Sequence, residues 1–363
     1  MKLNTRRNFI KQAAFAGASL SLAFCNPAII TSKKEKLGVA LVGLGSYSTY
    51  NLAPALQQTK HCYLAGIVTG SPHKIPNWQK KYGIKDQHVY NYENMHQIAD
   101  NDEIDVVYIV VPTGLHAKYA IIAANAGKHV WCEKPMAMNI PECQAIIDAC
   151  RKNKVKLSIG YRMQHEPNTQ TVIQYASTLP YGKINTVKAF AGYRGGGGSG
   201  WRFQKDMGGG ALYDMGVYTI NGIRYATGME PIAVRSAQQI NARPELFTEV
   251  DETTSYELEF ERGLIAYGKT SVGESMNQLR VECEKGWYEL SPMQSYNGVV
   301  GQTSDGIQLD TYIANQQARQ MDDDALAILN NTEVLVPGEE GLRDIRIVKA
   351  ILASAAKQQY VKL

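Results

Sequence analysis

The chain has six cysteines, no CxxC pair and no cluster of cysteine with histidine. Cys25 falls in an N-terminal leader. That leaves Cys62, Cys132, Cys143, Cys150 and Cys283, an odd number. This usage speaks against a disulfide scaffold and against structural zinc, and no metal is expected. The chain also lacks a basic block and an acidic tail, and its net charge is only +4, so nucleic acid is not expected as a partner. No internal repeat is present. What remains is an ordinary globular composition, 44% hydrophobic and 20% charged over 363 residues. At about 150 residues per domain that length suggests two domains.

The first thirty residues differ from the rest. "TRRNFIK" (Thr5 to Lys11) precedes the small, apolar "QAAFAGASLSLAF". A charged n-region followed by an h-region is a targeting segment and not part of a fold. It is too short and too rich in Ala, Gly and Ser for a membrane span. Arg6-Arg7 with Phe9 and Lys11 resembles a twin-arginine export signal, so residues 1–32 read as a leader and the mature chain as periplasmic, without stable membrane insertion. An ordinary secretory signal is the alternative. Cys25 is a candidate lipid-anchor cysteine, disfavoured by the bulky Phe24 before it. The unpaired cysteines fit folding in a reducing cytoplasm before export.

Alternating elements follow. Leu37 to Leu41 is an apolar run that reads as a buried parallel strand. It enters Gly43-Leu44-Gly45-Ser46-Tyr47-Ser48, a GxGxxS turn. The first Gly permits the turn, the second lets a pyrophosphate approach the backbone, and the next helix offers its N–H groups. Ser stands where a third Gly or Ala is usual. "CYLAGIVTG" (Cys62 to Gly70) is a second strand. It ends at Thr69-Gly70-Ser71 with Lys74 beyond, where NAD-preferring sheets carry a carboxylate. A hydroxyl, backbone amides and a lysine suit a 2′-phosphate, so NADP is expected rather than NAD. "IDVVYIVVP" (Ile104 to Pro112), "VWCEKP" and "VKLSIGYR" are further strands with helices between them. This predicts a parallel sheet with helices on both faces. Lys134 falls at the carboxyl end of a strand, where such sheets bind ligands.

"CEKPMA" together with "GLGSYS" resembles the glucose–fructose oxidoreductase/inositol dehydrogenase (Gfo/Idh/MocA) superfamily. "GYRMQHEP" (Gly160 to Pro167), "WRFQKDMGGGALYDMGVYTINGIRYATGMEP" (Trp201 to Pro231) and "PGEEGLRDIRIVKAI" (Pro337 to Ile351) resemble its glucose–fructose oxidoreductase branch. The likeness runs from about Lys36 to the C-terminus. It implies an α/β chain: an NADP-binding Rossmann domain (33–160), an α+β substrate and oligomerisation domain with an open, mainly antiparallel sheet (161–335), and a C-terminal helix (336–363) packing back on the nucleotide domain.

The resemblance also implies an oxidoreductase acting on CH–OH groups of sugars. Alcohol oxidation needs a base or proton relay near the nicotinamide C4, and a lysine tuned by its pocket can serve. The family places Lys134 there, Tyr218 as the acid/base on the sugar hydroxyl and Asp214 orienting the substrate. Asp214 and Tyr218 are four residues apart after three glycines, and on one helix they would share a face. Cofactor contacts carried over from the family are Gly43, Leu44, Gly45, Ser46, Tyr47, Thr69, Lys74, Tyr92, Pro112, Thr113, His116, Glu133, Arg162, Trp201 and Arg202. Thr113 stands where the family usually has Asn.

Beyond Arg162 the chain reads as strands with turns between them, "ERG" (Glu261 to Gly263) marking a hairpin. Family members use such a sheet to form homodimers or homotetramers. "GGGGSG" (Gly195 to Gly200) is a lid or a linker. "GLRDIRIVKAILASAA" is an amphipathic helix with Ile345, Val348 and Leu352 on one face. Only "NPAIITSKKEK" stands where the family's proline-rich arm would be, so retention of NADP through turnover is left open. The expected activity is oxidation of an aldose at C1 to a lactone, with the hydride passed on to a second sugar or to exchangeable cofactor. The alternatives are a redox-neutral, NAD(P)-assisted glycosidase and a non-catalytic binding protein.

Overall fold

The computed structural model describes residues 34–195, 200–296 and 298–363. The leader, Cys25 and the middle of the Gly195–Gly200 stretch lie outside the described residues. β1 (Leu37–Val42) is buried at every position, as a strand covered on both faces must be. It leads into α1 (residues 46–56), which winds more loosely at Ser48–Leu52 before Pro54. Then come β2 (Cys62–Val68), α2 (Ile75–Tyr82), β3 (Val89–Tyr90), β4 (Val106–Ile109), α3 (His116–Asn125), β5 (His129–Cys132), α4 (Ile140–Lys152) and β6 (Leu157–Ile159). The six strands form one sheet in the order β3-β2-β1-β4-β5-β6, and every pairing is parallel. The order reverses between β1 and β4. A crevice at the carboxyl ends of the strands opens there, the usual ligand position in such sheets.

α5 (Pro167–Thr178) starts the second half. β7 (Ile184–Gly192), α6 (Ala211–Asp214), α7 (Gly216–Thr227), β8 (Ala233–Ile240), β9 (Thr253–Glu259), β10 (Ile265–Ser271), β11 (Met276–Cys283), β12 (Gly286–Leu290), β13 (Gly301–Thr303), β14 (Gln308–Leu309), α8 (Gln316–Leu329), α9 (Gly338–Lys357) and β15 (Val361–Lys362) follow. These strands make a nine-stranded sheet, β14-β13-β12-β11-β7-β10-β9-β8-β15. Only β7 and β10 run parallel. β9 and β10 are the expected hairpin, with Arg262 at φ 62° in its turn. β9 alternates half-buried and buried residues along its length, the signature of a sheet with one face packed and one open. The packed face takes α7.

Two late segments return to the first sheet. α8 packs Ala318, Met321 and Ala325 into the cluster of Leu37, Val39, Leu41 and Trp131. Residues 161–335, expected as one substrate domain, thus include a helix of the first sheet's core. α9 buries Ile345 and Val348 and partly buries Leu352, as its periodicity predicts. It lies against α4 and β6 on one side and against α7 and β8 on the other. The expected packing on the nucleotide domain therefore holds for only part of the helix, and β15 then extends the second sheet along β8. α9 is tied to α7 by a buried ion pair, Arg224 Nη1 to Asp344 Oδ1 at 2.7 Å. Arg224 also pairs with Glu340 at 3.0 Å and Glu230 at 2.7 Å.

Cys62, Cys132, Cys143, Cys150 and Cys283 are free thiols, and all but Cys283 are buried. Among the described residues no helix is long and apolar enough to cross a membrane, and no acidic, histidine and cysteine group could hold a metal.

Candidate active site

The glycine loop follows β1 because its backbone must turn under β4. Gly43 has φ +97°, and a Cβ there would lie 2.6 Å from the Val110 carbonyl oxygen, so only glycine fits. Ser48 is buried and donates from Oγ to the Gly43 carbonyl at 2.6 Å. The serine at the third fingerprint position thus braces the turn. Gly45 is different: a Cβ there would meet nothing within 4 Å. Its open face is turned to the cleft, as a backbone approached by a phosphate requires. Filling that cradle with Gly45→Val is expected to weaken NADP binding by roughly tenfold or more, read by titration calorimetry, with the melting temperature little changed.

Past β2, Thr69 is buried and its Oγ1 accepts from the Ser71 amide at 3.0 Å. Lys74 Nζ reaches back to the Leu44 carbonyl at 2.8 Å. Ser71, Thr69 and Lys74 line one end of the cleft with no carboxylate among them. Tyr92 closes over Gly70, where a Cβ would come 2.9 Å from the ring. This end fits a phosphorylated ribose.

The other end is built at the carboxyl end of β5. Glu133 is 7% exposed. It accepts from Tyr108 Oη at 2.7 Å and from the Lys134 amide at 3.1 Å. Burial raises its pKa, although these bonds and the Lys134 charge oppose the rise. A Cβ on Gly160 would stand 2.8 Å from Glu133 Oε1, so the glycine of "GYR" makes room for this carboxyl. The Lys134–Pro135 bond is cis. Lys134 Nζ donates to the Asp214 carbonyl at 2.8 Å, stands 3.7 Å from Asp214 Oδ1, and lies 4.5 Å from the Tyr218 ring centre. Asp214 Oδ2 accepts from Tyr193 Oη and Arg202 Nε, each at 3.0 Å. Burial works against the Asp214 carboxylate, but the Lys134 and Arg202 cations and the Tyr193 bond outweigh it and hold its pKa below the usual carboxylate range. Asp214 is therefore an anion that orients donors, and the Tyr218 ring lies against the same Lys134 ammonium.

The three glycines before Asp214 let two loops meet. A Cβ on Gly208 would lie 2.6 Å from Thr113 Cβ, and one on Gly210 2.2 Å from Asp251 Oδ1. Asp251 then caps the turn by accepting from the Leu212 amide at 2.9 Å.

Gly43, Leu44, Gly45, Ser46, Tyr47, Thr69, Lys74, Tyr92, Pro112, Thr113, His116, Glu133, Lys134, Trp201, Arg202, Asp214 and Tyr218 all border one cleft of about 1020 Å³. Two expectations need correction, and His116 shows a structural role as well. Asp214 and Tyr218 do not share one helix. α6 ends at Asp214 and α7 begins at Gly216, and they converge because the chain breaks at Met215. His116 borders the cleft, but its ring is held 2.8 Å from both the Pro135 and Val111 carbonyls. It staples the Glu-Lys-Pro turn to the β4 loop. Arg162 does not line the cleft. It is 2% exposed and bonds Gln316 Oε1 and the Gln294 carbonyl behind the wall.

Ser71 of the Thr69-Gly70-Ser71 stretch lines the cleft as well, and sequence reasoning missed Tyr193, Gln294, Ser295 and Tyr296, which also line it. Tyr193 sits beside a recognised motif and could have been flagged. "SPMQSY" carries no signal of its own.

A parallel sheet with a glycine-loop crevice, closed by a second sheet that brings tyrosine and aspartate to a strand-end lysine, defines a nicotinamide-dependent oxidoreductase. Residues 37–161 match the model of an oxidoreductase family with an NAD-binding Rossmann fold, and residues 171–289 match the GFO/IDH/MocA C-terminal domain. The aldose-aldose oxidoreductase of Caulobacter crescentus, solved with glycerol, is 36% identical with a TM-score of 0.86, over 90% of this chain and 100% of that one. D-xylose 1-dehydrogenase (NADP+) of Haloarcula marismortui is 26% identical over 353 residues, 92% of this chain and 95% of that protein. A 3-ketoreductase from Actinomadura kijaniata, in complex with NADP and TDP-benzene, shares the fold at 21% identity and TM-score 0.78, over 88% of this chain and 98% of that one. The chain belongs to the GFO/IDH/MocA oxidoreductase family.

Proposed function

We propose that this chain is an NADP-dependent sugar oxidoreductase that converts the C1 hydroxyl of an aldose to a lactone. The observation that carries this reading is the single cleft with two unlike ends. Thr69, Ser71 and Lys74 stand at one end and Lys134, Asp214 and Tyr218 at the other. The residues fit NADP: the open cradle at Gly45 suits its pyrophosphate, Thr69, Ser71 and Lys74 its 2′-phosphate, and the Pro112–Thr113 turn, which lines the same cleft, would border the nicotinamide. Bound NADP supplies the hydride acceptor for C1. The chain's own residues handle the proton. Tyr218 Oη takes it from the C1 hydroxyl as the carbonyl forms. Lys134 stabilises the oxygen as charge gathers on it, and Asp214, held by Tyr193 and Arg202, fixes the sugar's other hydroxyls. The two aldose-active relatives support the substrate class.

Lys74→Ala is expected to raise the NADP dissociation constant about tenfold, the worth of one lost charged hydrogen bond. NAD binding should change little, and fluorescence titration with both nucleotides checks it.

Twin-arginine export and transfer of the hydride to a second sugar complete the proposal. An exported enzyme has no replenished pool of free nicotinamide nucleotide, so recycling its own cofactor is the economical arrangement. The test is the absorbance of the reduced-nicotinamide band in protein purified without added nucleotide. Glucose or xylose should raise it and a ketose or second aldose should lower it. A response only with added NADP leaves an ordinary dehydrogenase. Silence across an aldose panel, with release of a chromophoric aglycone, would replace this reading with the glycosidase one.

A further inference from the structure

Arg162 follows β6 and is 2% exposed. Its guanidinium bonds Gln316 Oε1 from α8 and the Gln294 carbonyl, and its Nε has no partner. Among the described residues no carboxylate lies within ion-pairing distance of it. It stacks 4.4 Å from the Tyr296 ring centre and lies 5.6 Å from the Tyr218 ring centre. A buried cation without a counter-charge is costly, and proteins ordinarily supply a carboxylate. Here a neutral amide occupies that place.

We infer that Arg162 is a positioning residue that favours the proton-accepting form of Tyr218, and that Gln316, by being neutral, leaves the guanidinium charge directed at that phenol. The inference rests on Tyr218 being the base. Tyr218 is faced by Lys134 from the end of β5, Arg162 from the turn after β6, Asp214 from the preceding turn, Tyr47 from α1 and Tyr296 from the segment after β12. Glu133 and Arg202 stand farther round the same cleft. Lys134 already shares its charge with Asp214, whose Oδ1 is 3.7 Å from Nζ. Arg162 has no such close partner among the described residues; the carboxyl its charge reaches, Glu133, lies beyond ion-pairing distance and is already bonded to Tyr108 and the Lys134 amide. The surrounding phenols respond in kind. Burial lowers the Arg162 pKa, but Tyr218, Tyr296 and Tyr47 more than reverse it. Burial holds Tyr47 and Tyr296 protonated. Tyr218 is the phenol of the three that also lies against Lys134, and the guanidinium stands 5.6 Å from its ring centre.

The test is the pH dependence of single-turnover reduction of bound NADP by an aldose. Gln316→Glu places a carboxylate on the guanidinium and is expected to move the rising limb about one pH unit upward, with a roughly tenfold lower rate below the limb and recovery above it. Arg162→Met should move it the same way. Arg162→Lys and Gln316→Met should leave the limb in place. NADP binding and the near-ultraviolet circular dichroism establish that each variant is folded. If Gln316→Glu fails to fold, the Met and Lys variants at position 162 decide the matter. A limb unmoved by loss of the charge overturns the inference. Should Tyr218→Phe retain the wild-type limb, the assignment of the base has failed instead, and the two failures are distinct.

Discussion

Tyr218→Phe is expected to lower the rate of aldose oxidation about 100- to 10,000-fold, the range in which a positioned acid/base works, with little change in NADP affinity or in fold. The substitution removes one hydroxyl and keeps the ring that lies against Lys134. A fall in kcat with KM unchanged would place the lost interaction in the transition state. Lys134→Met is the necessary companion, because it removes both the cation on that ring and the donor to the Asp214 carbonyl. A Tyr218→Phe enzyme within tenfold of wild type, combined with an inactive Lys134→Met, would move the base to Lys134.

Arg224→Met is expected to destabilise the fold by about 3–5 kcal/mol, the cost of leaving one partner of a buried pair, or roughly 5–10 °C in melting temperature. Asp344 is fully buried, and α9 has no other cation paired with it among the described residues. Burial raises the Asp344 pKa to about 6 even with Arg224 opposing the shift. A carboxyl whose folded pKa lies above its unfolded value costs stability as pH rises between the two, from near 4 upward. Without Arg224 that window extends to higher pH. The deficit of the variant should therefore be largest at pH 8 and should shrink on acidification to pH 5, where Asp344 takes a proton. Differential scanning calorimetry at the two pH values checks the sign. A deficit independent of pH would show that packing, not charge, accounts for the loss.

Some of this molecule is written in short stretches of chain. β1, β2 and β4 each sit on a continuous apolar run, because a strand covered on both faces needs nothing else. The glycines at 43 and 45 stand where a tight turn and an open cradle need them. Lys134 is placed by strand geometry alone, since a residue at a strand's carboxyl end faces the crevice. The α9 stripe of Ile345, Val348 and Leu352 follows from its period. In each case spacing along the chain sets local geometry, and local geometry places the side chain.

Tertiary structure decided the rest. Asp214 and Tyr218 meet across a break at Met215, not along one helix. Tyr193 bonds Asp214 from 21 residues away, and Arg162 finds Gln316 across 154. No periodicity encodes such contacts, because they depend on how the second sheet and α8 dock on the first. Arg162 shows the difference most directly. Its motif places it at the end of β6, beside the cofactor, yet α8 and the Gln294–Tyr296 segment close over it and turn a surface cation into a buried one. By itself the sequence determined the nucleotide sheet, its glycine loop and the lysine at its edge. Only the folded chain decided which charges around Tyr218 are compensated, because compensation is a matter of distance in space.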